Sequence, residues 1–236
     1  AGALNMMLPY FKGLSVRAIT PEVVQRWKIG RADGLKPRTY NIELETMKMV
    51  FRYAIEVKRL LLDNPTDSLK RRKQPKAKPV VPTKEQFSAL VTELRTSPRA
   101  KDAASLVEFL GYSGCRLGEA TEVRWRDVNV RLGSLLVTGG ERGTKNHEQR
   151  TIPLFPPLRT FLVRLATAQC GGLTFDRASS ERKLFDLKHS RQAIHAACER
   201  LGLPRFGHHS MRHFFCSNAI EQGVDFKTIA EWLGHK

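Results

Sequence analysis

Apolar residues recur at helical spacing along most of the chain and alternate at strand spacing in one region only. Thr20-Pro21-Glu22 predicts a helix start, with a capping hydroxyl, proline at the first position and an early acid. Val23, Val24 and Trp27 follow at helical spacing, and a turn comes at Arg31-Ala32-Asp33-Gly34. Lys36-Pro37-Arg38-Thr39 opens a long helix with Met47, Val50, Phe51, Ala54 and Val57 as its apolar stripe. Proline in Asp63-Asn64-Pro65 is expected to end it. Thr83-Lys84-Glu85-Gln86 starts another amphipathic helix, carrying Phe87, Leu90, Val91 and Leu94. A more apolar helix over 100–112 runs into Gly111-Tyr112-Ser113-Gly114. β-prone pieces follow at 128–131, 134–138 and 148–154, the last two separated by a long polar hairpin tip over 139–146. Helices return at about 156–169, 182–201, 209–222 and 225–233, and residues 1–13 read like the end of a helix. The pattern predicts a mainly α fold with a small antiparallel β-sheet, an α+β class.

Composition narrows the partners. The 236 residues suit one large domain or two small ones, and 41% hydrophobic content is enough for packed cores. No run of about 18 apolar residues is present, so no membrane span is predicted. The N-terminus lacks the basic and apolar regions of a secretory signal. Cys115, Cys170, Cys198 and Cys216 lie far apart without a CxxC pair and read as reduced intracellular thiols, pointing to the cytoplasm. The net charge of +17 points to a polyanion, with nucleic acid first and a ribosomal or membrane surface behind it.

That charge is uneven. Residues 1–82 hold 17 Lys+Arg against 7 Asp+Glu, and the rest hold 23 against 16. The densest stretch, Lys70-Arg71-Arg72-Lys73-Gln74-Pro75-Lys76-Ala77-Lys78, precedes Pro79 and Pro82. Its prolines forbid a continuous helix and its charges repel, so 70–82 reads as an extended linker between domains at 1–69 and 83–236. It is either a solvated tether or a strap along phosphates that releases counterions. Lys36, Arg38 and Thr39 crowd a helix N-terminus, which suits a phosphate or an ordinary basic cap.

Two constellations carry candidate chemistry. In Ser113-Gly114-Cys115-Arg116-Leu117-Gly118-Glu119 an arginine sits at a glycine-marked break, with an acid three residues on. An arginine held by that acid suits bidentate phosphate binding, although an ordinary partly buried salt bridge is the commoner reading of this stretch taken alone. In His208-His209-Ser210-Met211-Arg212-His213-Phe214-Phe215-Cys216, about 100° per residue puts His209, Arg212, His213 and Cys216 on one side. Met211, Phe214 and Phe215 take the other. The front can bind an anion or move protons. A metal bound by His209, His213 and Cys216 is disfavoured because Arg212 would sit beside the cation. Lys145 at the hairpin tip and His235 in Trp232-Leu233-Gly234-His235 are weak signals taken singly.

Together and in order, SGCRLGE, a hairpin lysine, HSMRH and LGH resemble the tyrosine recombinase (phage integrase) family. The segment from about Leu14 to Leu69 resembles its helical core-DNA-binding domain, including Arg38-Thr39-Tyr40-Asn41 and Asn64-Pro65. The resemblance implies a core-binding domain and a catalytic domain forming a clamp around DNA. It implies Arg116, Lys145, His209, Arg212 and His235 as catalytic residues, with Glu119 and His213 in support. It further implies that a tyrosine attacks a DNA phosphate, leaving a 3′-phosphotyrosyl bond and a free 5′-hydroxyl. Two guanidiniums on the phosphate need neither metal nor other cofactor, and neither a P-loop nor clustered carboxylates occur. Lys36, Arg38, Thr39, Lys70, Arg71, Arg72 and Lys73 are the DNA-binding candidates. The implied partners are double-stranded DNA, a homo-tetramer on paired sites and accessory DNA-bending proteins, in a bacterial or phage-encoded, nucleoid-associated protein without a membrane.

One departure stands out. The family's nucleophilic tyrosine lies about nine residues past the position of His235, and the chain's tyrosines are Tyr10, Tyr40, Tyr53 and Tyr112. The expectation is a chain cut short at both ends, able to bind DNA and unable to cleave it. Integration and excision of a mobile element is the leading function. A chromosome-dimer resolvase, a non-catalytic DNA-binding protein and a topoisomerase-like enzyme are the alternatives.

Overall fold

The computed structural model describes residues 2–75, 78–139, 148–172, 177–187 and 189–235. The chain forms two compact units, Ala1–Ala77 and Lys78–Lys236. No helix among the described residues is long and apolar enough to cross a membrane.

The first unit is helical: α1 (Gly2–Phe11), α2 (Pro21–Gly30) and α3 (Pro37–Glu56). Met7, Val24, Trp27, Tyr40, Leu44, Met47 and Phe51 form its core, with Trp27 and Tyr40 stacked at 6.1 Å. Two positions of the expected α3 stripe, Val50 and Val57, are instead exposed. The helix also stops before Asp63. Arg59 adopts a left-handed φ of 50°, and the Leu60 N–H returns to the Ala54 carbonyl at 2.8 Å, a closure that satisfies the last carbonyls without proline. Asn64 then builds a turn of its own, its Oδ1 accepting from the Thr66 N–H and hydroxyl. A buried acid, Glu43, takes both Nε and Nη2 of Arg31 at 3.0 and 2.6 Å.

The basic stretch does not begin as a free linker. The Tyr40 hydroxyl donates to the Lys70 carbonyl, and Asn41 bonds both the N–H and the carbonyl of Arg72 at 2.8 Å. The Arg72 guanidinium lies 4.1 Å over the Tyr40 ring and donates to the Ala32 and Leu35 carbonyls and to Asp33. Lys70 to Arg72 therefore belong to the first unit.

The second unit is built round α5 (Lys101–Ser113), buried along most of its length and packed by α4 (Lys84–Thr96), α7 (Pro156–Cys170) and α10 (His208–Glu221). A capping box starts α4: Gln86 N–H donates to Thr83 Oγ1 and Thr83 N–H to Gln86 Oε1. The short α6 (Leu117–Ala120) follows α5. Strands β1 (Val128–Asn129), β2 (Ser134–Val137) and β3 (Arg150–Pro153) form an antiparallel sheet in sequence order, with Leu135 opposite Ile152. Of the helix expected over 182–201 only the second half forms, as α9 (Arg191–Arg200); α8 (Arg177–Glu181) lies before it, and 182–185 is not helical. Pairing with a distant segment overrides the helical pattern here. Trp125 N–H reaches the Arg182 carbonyl, and Leu184 N–H the Val123 carbonyl.

Helix α11 (Phe226–Leu233) packs on α10 through Phe215, Ala219, Ile229 and Leu233. The apolar back of α10 is thus divided. Phe214 stacks on Phe87 at 4.3 Å in the main core, and Phe215 enters the smaller cluster. Gly114 closes α5 in a left-handed conformation at φ 66°. A Cβ there would lie 2.5 Å from Phe215 Cδ1, so glycine is required on both counts.

Candidate functional site

Three helix ends and one strand meet in the second unit. The left-handed turn at Gly114 leads into Arg116, which caps α6. Glu119, 4% exposed, accepts from the Arg116 N–H at 2.8 Å and from Arg116 Nη1 at 2.9 Å. The carboxylate thus fixes both the turn and the guanidinium. Burial pushes the Glu119 carboxyl up, but Arg150 and the Arg116 N–H outweigh it and hold it below its ordinary value.

Arg212 comes from α10. Helical periodicity puts it on an open front, yet the residue is 4% exposed. Its Nη1 donates to the Gly114 carbonyl at 2.7 Å and its Nη2 to the Leu233 carbonyl at 2.6 Å. Nη2 also lies 3.1 Å from His235 Nε2. Burial and the charge of Arg116 lower this guanidinium to about 10, so it remains a cation at neutral pH. Arg116, Arg150, Gly234 and His235 line one cavity of about 210 Å³. His209 is exposed one turn before His213, the rings edge to face at 4.6 Å. Burial, then His213, Arg212, Arg116 and His235, lowers its pKa, so the imidazole is neutral at pH 7. His208 turns away, its Nε2 accepting from the Ser190 N–H at 3.1 Å.

Arg116, Glu119, Arg212 and His235 are therefore brought together, with His209 and His213 on the adjoining face. Lys145 lies outside the described residues. Sequence reasoning missed Arg150, which shares the inward side of β3 with the buried Ile152. A cation at that phase of a strand is the signal that would have found it.

In the first unit Lys36, Arg38 and Thr39 are exposed at the start of α3. Arg38 and Arg71 line one depression along that helix with Ile42, Met49 and Arg52, and Arg71 also approaches Glu45 at 3.7 Å. Lys70 and Lys73 are exposed. Arg72 has a structural occupation instead. Arg72→Ala is expected to lower the stability of the first unit by about 2 kcal/mol, through a lost cation–π contact and charge-assisted hydrogen bonds partly open to solvent. Lys73→Ala is expected to leave stability unchanged and to flatten the salt dependence of DNA affinity by roughly one counterion. Thermal melts and a salt titration separate the two. Equal melts for both variants would remove the staple from Arg72.

Sequence comparison matches the Phage integrase family over residues 81–236. Tyrosine recombinase XerA of Pyrococcus furiosus is 27% identical over 209 residues, spanning 87% of this chain and 68% of that protein. Tyrosine recombinase XerC of Mycobacterium tuberculosis is 26% identical over 238 residues, spanning 95% and 78%. The fold resembles that of a lambda integrase dimer bound to a COC′ core site, with a TM-score of 0.75 and 19% identity over all of this chain and 66% of that one. It also resembles the Tn1549 transposon integrase in complex with transposon right end DNA, with a TM-score of 0.73 and 15% identity over 100% and 84%.

Proposed function

The chain belongs to the phage integrase family, and from that premise we propose that it recombines double-stranded DNA at specific sites by breaking and rejoining strands through a 3′-phosphotyrosyl intermediate. The carrying observation is Arg212 pinned beside Arg116, with an arginine–acid pair holding the second guanidinium. Two fixed guanidiniums close together, with the one buried acid beside them, Glu119, shared between Arg116 and Arg150, suit a dianionic phosphorane-like transition state. Arg116 and Arg212 bind its non-bridging oxygens. His209, neutral at pH 7, takes the tyrosine proton as the tyrosine oxygen bonds to phosphorus. Lys145 supplies a proton to the departing 5′-oxygen. His235 sits on Arg212 and orients it. The phosphoester energy is kept in the protein link, so the 5′-hydroxyl of a partner strand reverses the step.

The first unit serves as the core-binding domain and the second as the catalytic domain, with Lys36, Arg38, Thr39, Lys70, Arg71 and Lys73 on phosphates. Integration and excision of a mobile element is the leading role, on tetramers over paired sites. Resolution of chromosome dimers uses the same residues and steps, and the similarity to Xer tyrosine recombinases is compatible with it. Recombination assays on a donor–host pair and on direct repeats distinguish the two.

None of the four tyrosines stands at the cavity holding Arg116 and His235. Tyr40 is buried under Arg72, Tyr10 and Tyr53 lie in the first unit, and Tyr112 lines an apolar groove with Phe87 and Phe155. Burial, then Glu108, raises the Tyr112 pKa further from a nucleophile's. Residues 1–236 on their own are therefore expected to bind a nicked suicide substrate without a covalent adduct. An adduct on denaturing gels would overturn the tyrosine assignment.

The histidine sets a pH dependence. Because its pKa in the folded chain lies below the ordinary 6.5, neutral His209 is favoured by folding above 6.5. That contribution is lost as pH falls below 6.5 toward the folded value. In a chain that carries the nucleophilic tyrosine, the single-turnover cleavage rate is expected to fall over the same acidic window, and His209→Gln to lower the rate and flatten the profile. An unaltered profile in that variant would remove the base role from His209.

A further inference from the structure

We infer that Arg150 is a positioning residue of the recombination reaction, holding Glu119 and the turn that carries His235 in one arrangement. The inference rests on the site reading above and extends it to a residue whose guanidinium nitrogens all bond protein groups. Arg150 is the first residue of β3, and its side chain is 8% exposed. Nη1 and Nη2 grip both Glu119 oxygens, at 3.1 and 2.6 Å. Nε donates at 2.7 Å to the carbonyl of Trp232, in the last turn of α11. All three nitrogens of the fork are committed to protein, so its work is done through Glu119 and α11.

Each end of that bridge touches the cationic site. Glu119 holds the backbone and guanidinium of Arg116. The last turn of α11 carries Leu233, whose carbonyl accepts from Arg212, and then His235. Arg150 therefore joins the supports of Arg116 to those of Arg212. Between Arg116 and Arg150 the single Glu119 charge is shared by two guanidiniums, and the cavity the pair lines also carries Glu148 and Glu231. A lysine at 150 has one nitrogen and cannot reach both carboxylate oxygens and the Trp232 carbonyl.

Gly234 supplies a second observation. It is left-handed at φ 64°, and a Cβ on it would meet Arg150 Cδ and Nη1 at 3.3 Å. The glycine of the LGH sequence lets the Arg150 stem lie flat across the turn. Arg150 also pairs with Val137 of β2, so the sheet and the His235 turn share one anchor.

The test compares Arg150→Lys, Arg150→Ala, Glu119→Gln and the double Glu119→Gln/Arg150→Gln in a chain carrying the nucleophilic tyrosine. Single-turnover cleavage is expected to fall ~100-fold in Arg150→Ala and ~10-fold in Arg150→Lys, as for displacement of a catalytic group by about 1 Å. DNA affinity is expected to stay within about threefold, because the phosphate contacts lie elsewhere. The double variant is expected to lose less than the product of the Arg150→Ala and Glu119→Gln losses, since the shared Glu119–Arg150 link is counted in both. In residues 1–236 alone, the His235 imidazole resonance is expected to shift in Arg150→Lys while that of His208 stays. Cleavage at the wild-type rate in Arg150→Lys, or losses that multiply in the double variant, overturns the inference. If Arg150→Ala does not fold, Arg150→Lys decides. Arg116→Ala runs beside them: cleavage retained there sinks the site reading, whereas loss there with normal Arg150→Lys sinks this inference alone.

Discussion

Arg212→Ala, in a chain carrying the nucleophilic tyrosine, is expected to lower single-turnover cleavage at least ~10³-fold while DNA affinity changes little. Removing one preorganised donor from a transition-state oxyanion typically costs about 2.7–4 kcal/mol, and here a full charge goes with it. Arg116→Ala is expected to have a similar kinetic effect. The two variants part on stability. Arg212 satisfies the carbonyls of Gly114 and Leu233, both in buried residues, and its loss leaves two acceptors without that donor. At about 1–3 kcal/mol for each buried unsatisfied group, a melting point lower by several degrees is expected. The Arg116 side chain is 26% exposed, and its partner Glu119 keeps Arg150, so its removal is expected to leave the melt near wild type. Electrophoretic shift, rapid-quench cleavage and calorimetry on both variants check this. Cleavage retained in either variant sinks the assignment; equal melts would sink the bracing role of Arg212.

The second large effect is expected from Gly114→Ala, which adds one carbon and no charge. Its φ of 66° costs an L-residue roughly 1–2 kcal/mol. The new Cβ would lie 2.5 Å from Phe215 Cδ1 and 3.0 Å from Leu233 Cδ2, and such overpacking costs about 1–3 kcal/mol more. Together they are expected to destabilise the second unit by about 2–5 kcal/mol. Phe215 and Leu233 are the contacts of α10 with α11, so the strain reaches the Leu233 carbonyl that Arg212 holds. Cleavage is expected to fall with stability. A Gly114→Ala chain with a wild-type melt and rate would show that the turn has slack the packing does not suggest.

Much of this was legible in the residues. The SGCRLGE and HSMRH stretches announced a fixed arginine and a mixed helix face, because spacings of three and four on a helix translate directly into shared direction. The sheet followed from alternation and the start of α4 from the capping signal at Thr83-Gln86, whereas Thr20 begins α2 without the expected side-chain cap. What failed to show depends on distant partners. Nothing local says that 182–185 pairs with 123–125, that Arg72 is fastened to Asn41, or that Phe214 and Phe215 enter different clusters. The end of α3 was misplaced because a left-handed Arg59 stopped it before proline was reached. The wheel position of Arg212 gives its direction and not its burial, because it carries no trace of α11, whose Leu233 carbonyl it meets.

The burial of Arg212 has a consequence for how such a chain loses function over generations. A lineage released from selection for strand cleavage, but still kept for holding DNA, can shed Arg116 at small thermodynamic penalty. It cannot as easily shed Arg212, which ties the ends of α5 and α11 together. Inactive descendants that remain folded should therefore keep the second arginine and vary the first. A surviving Arg212 is then a poor indicator of an active enzyme, and Arg116 is the position at which to look for one.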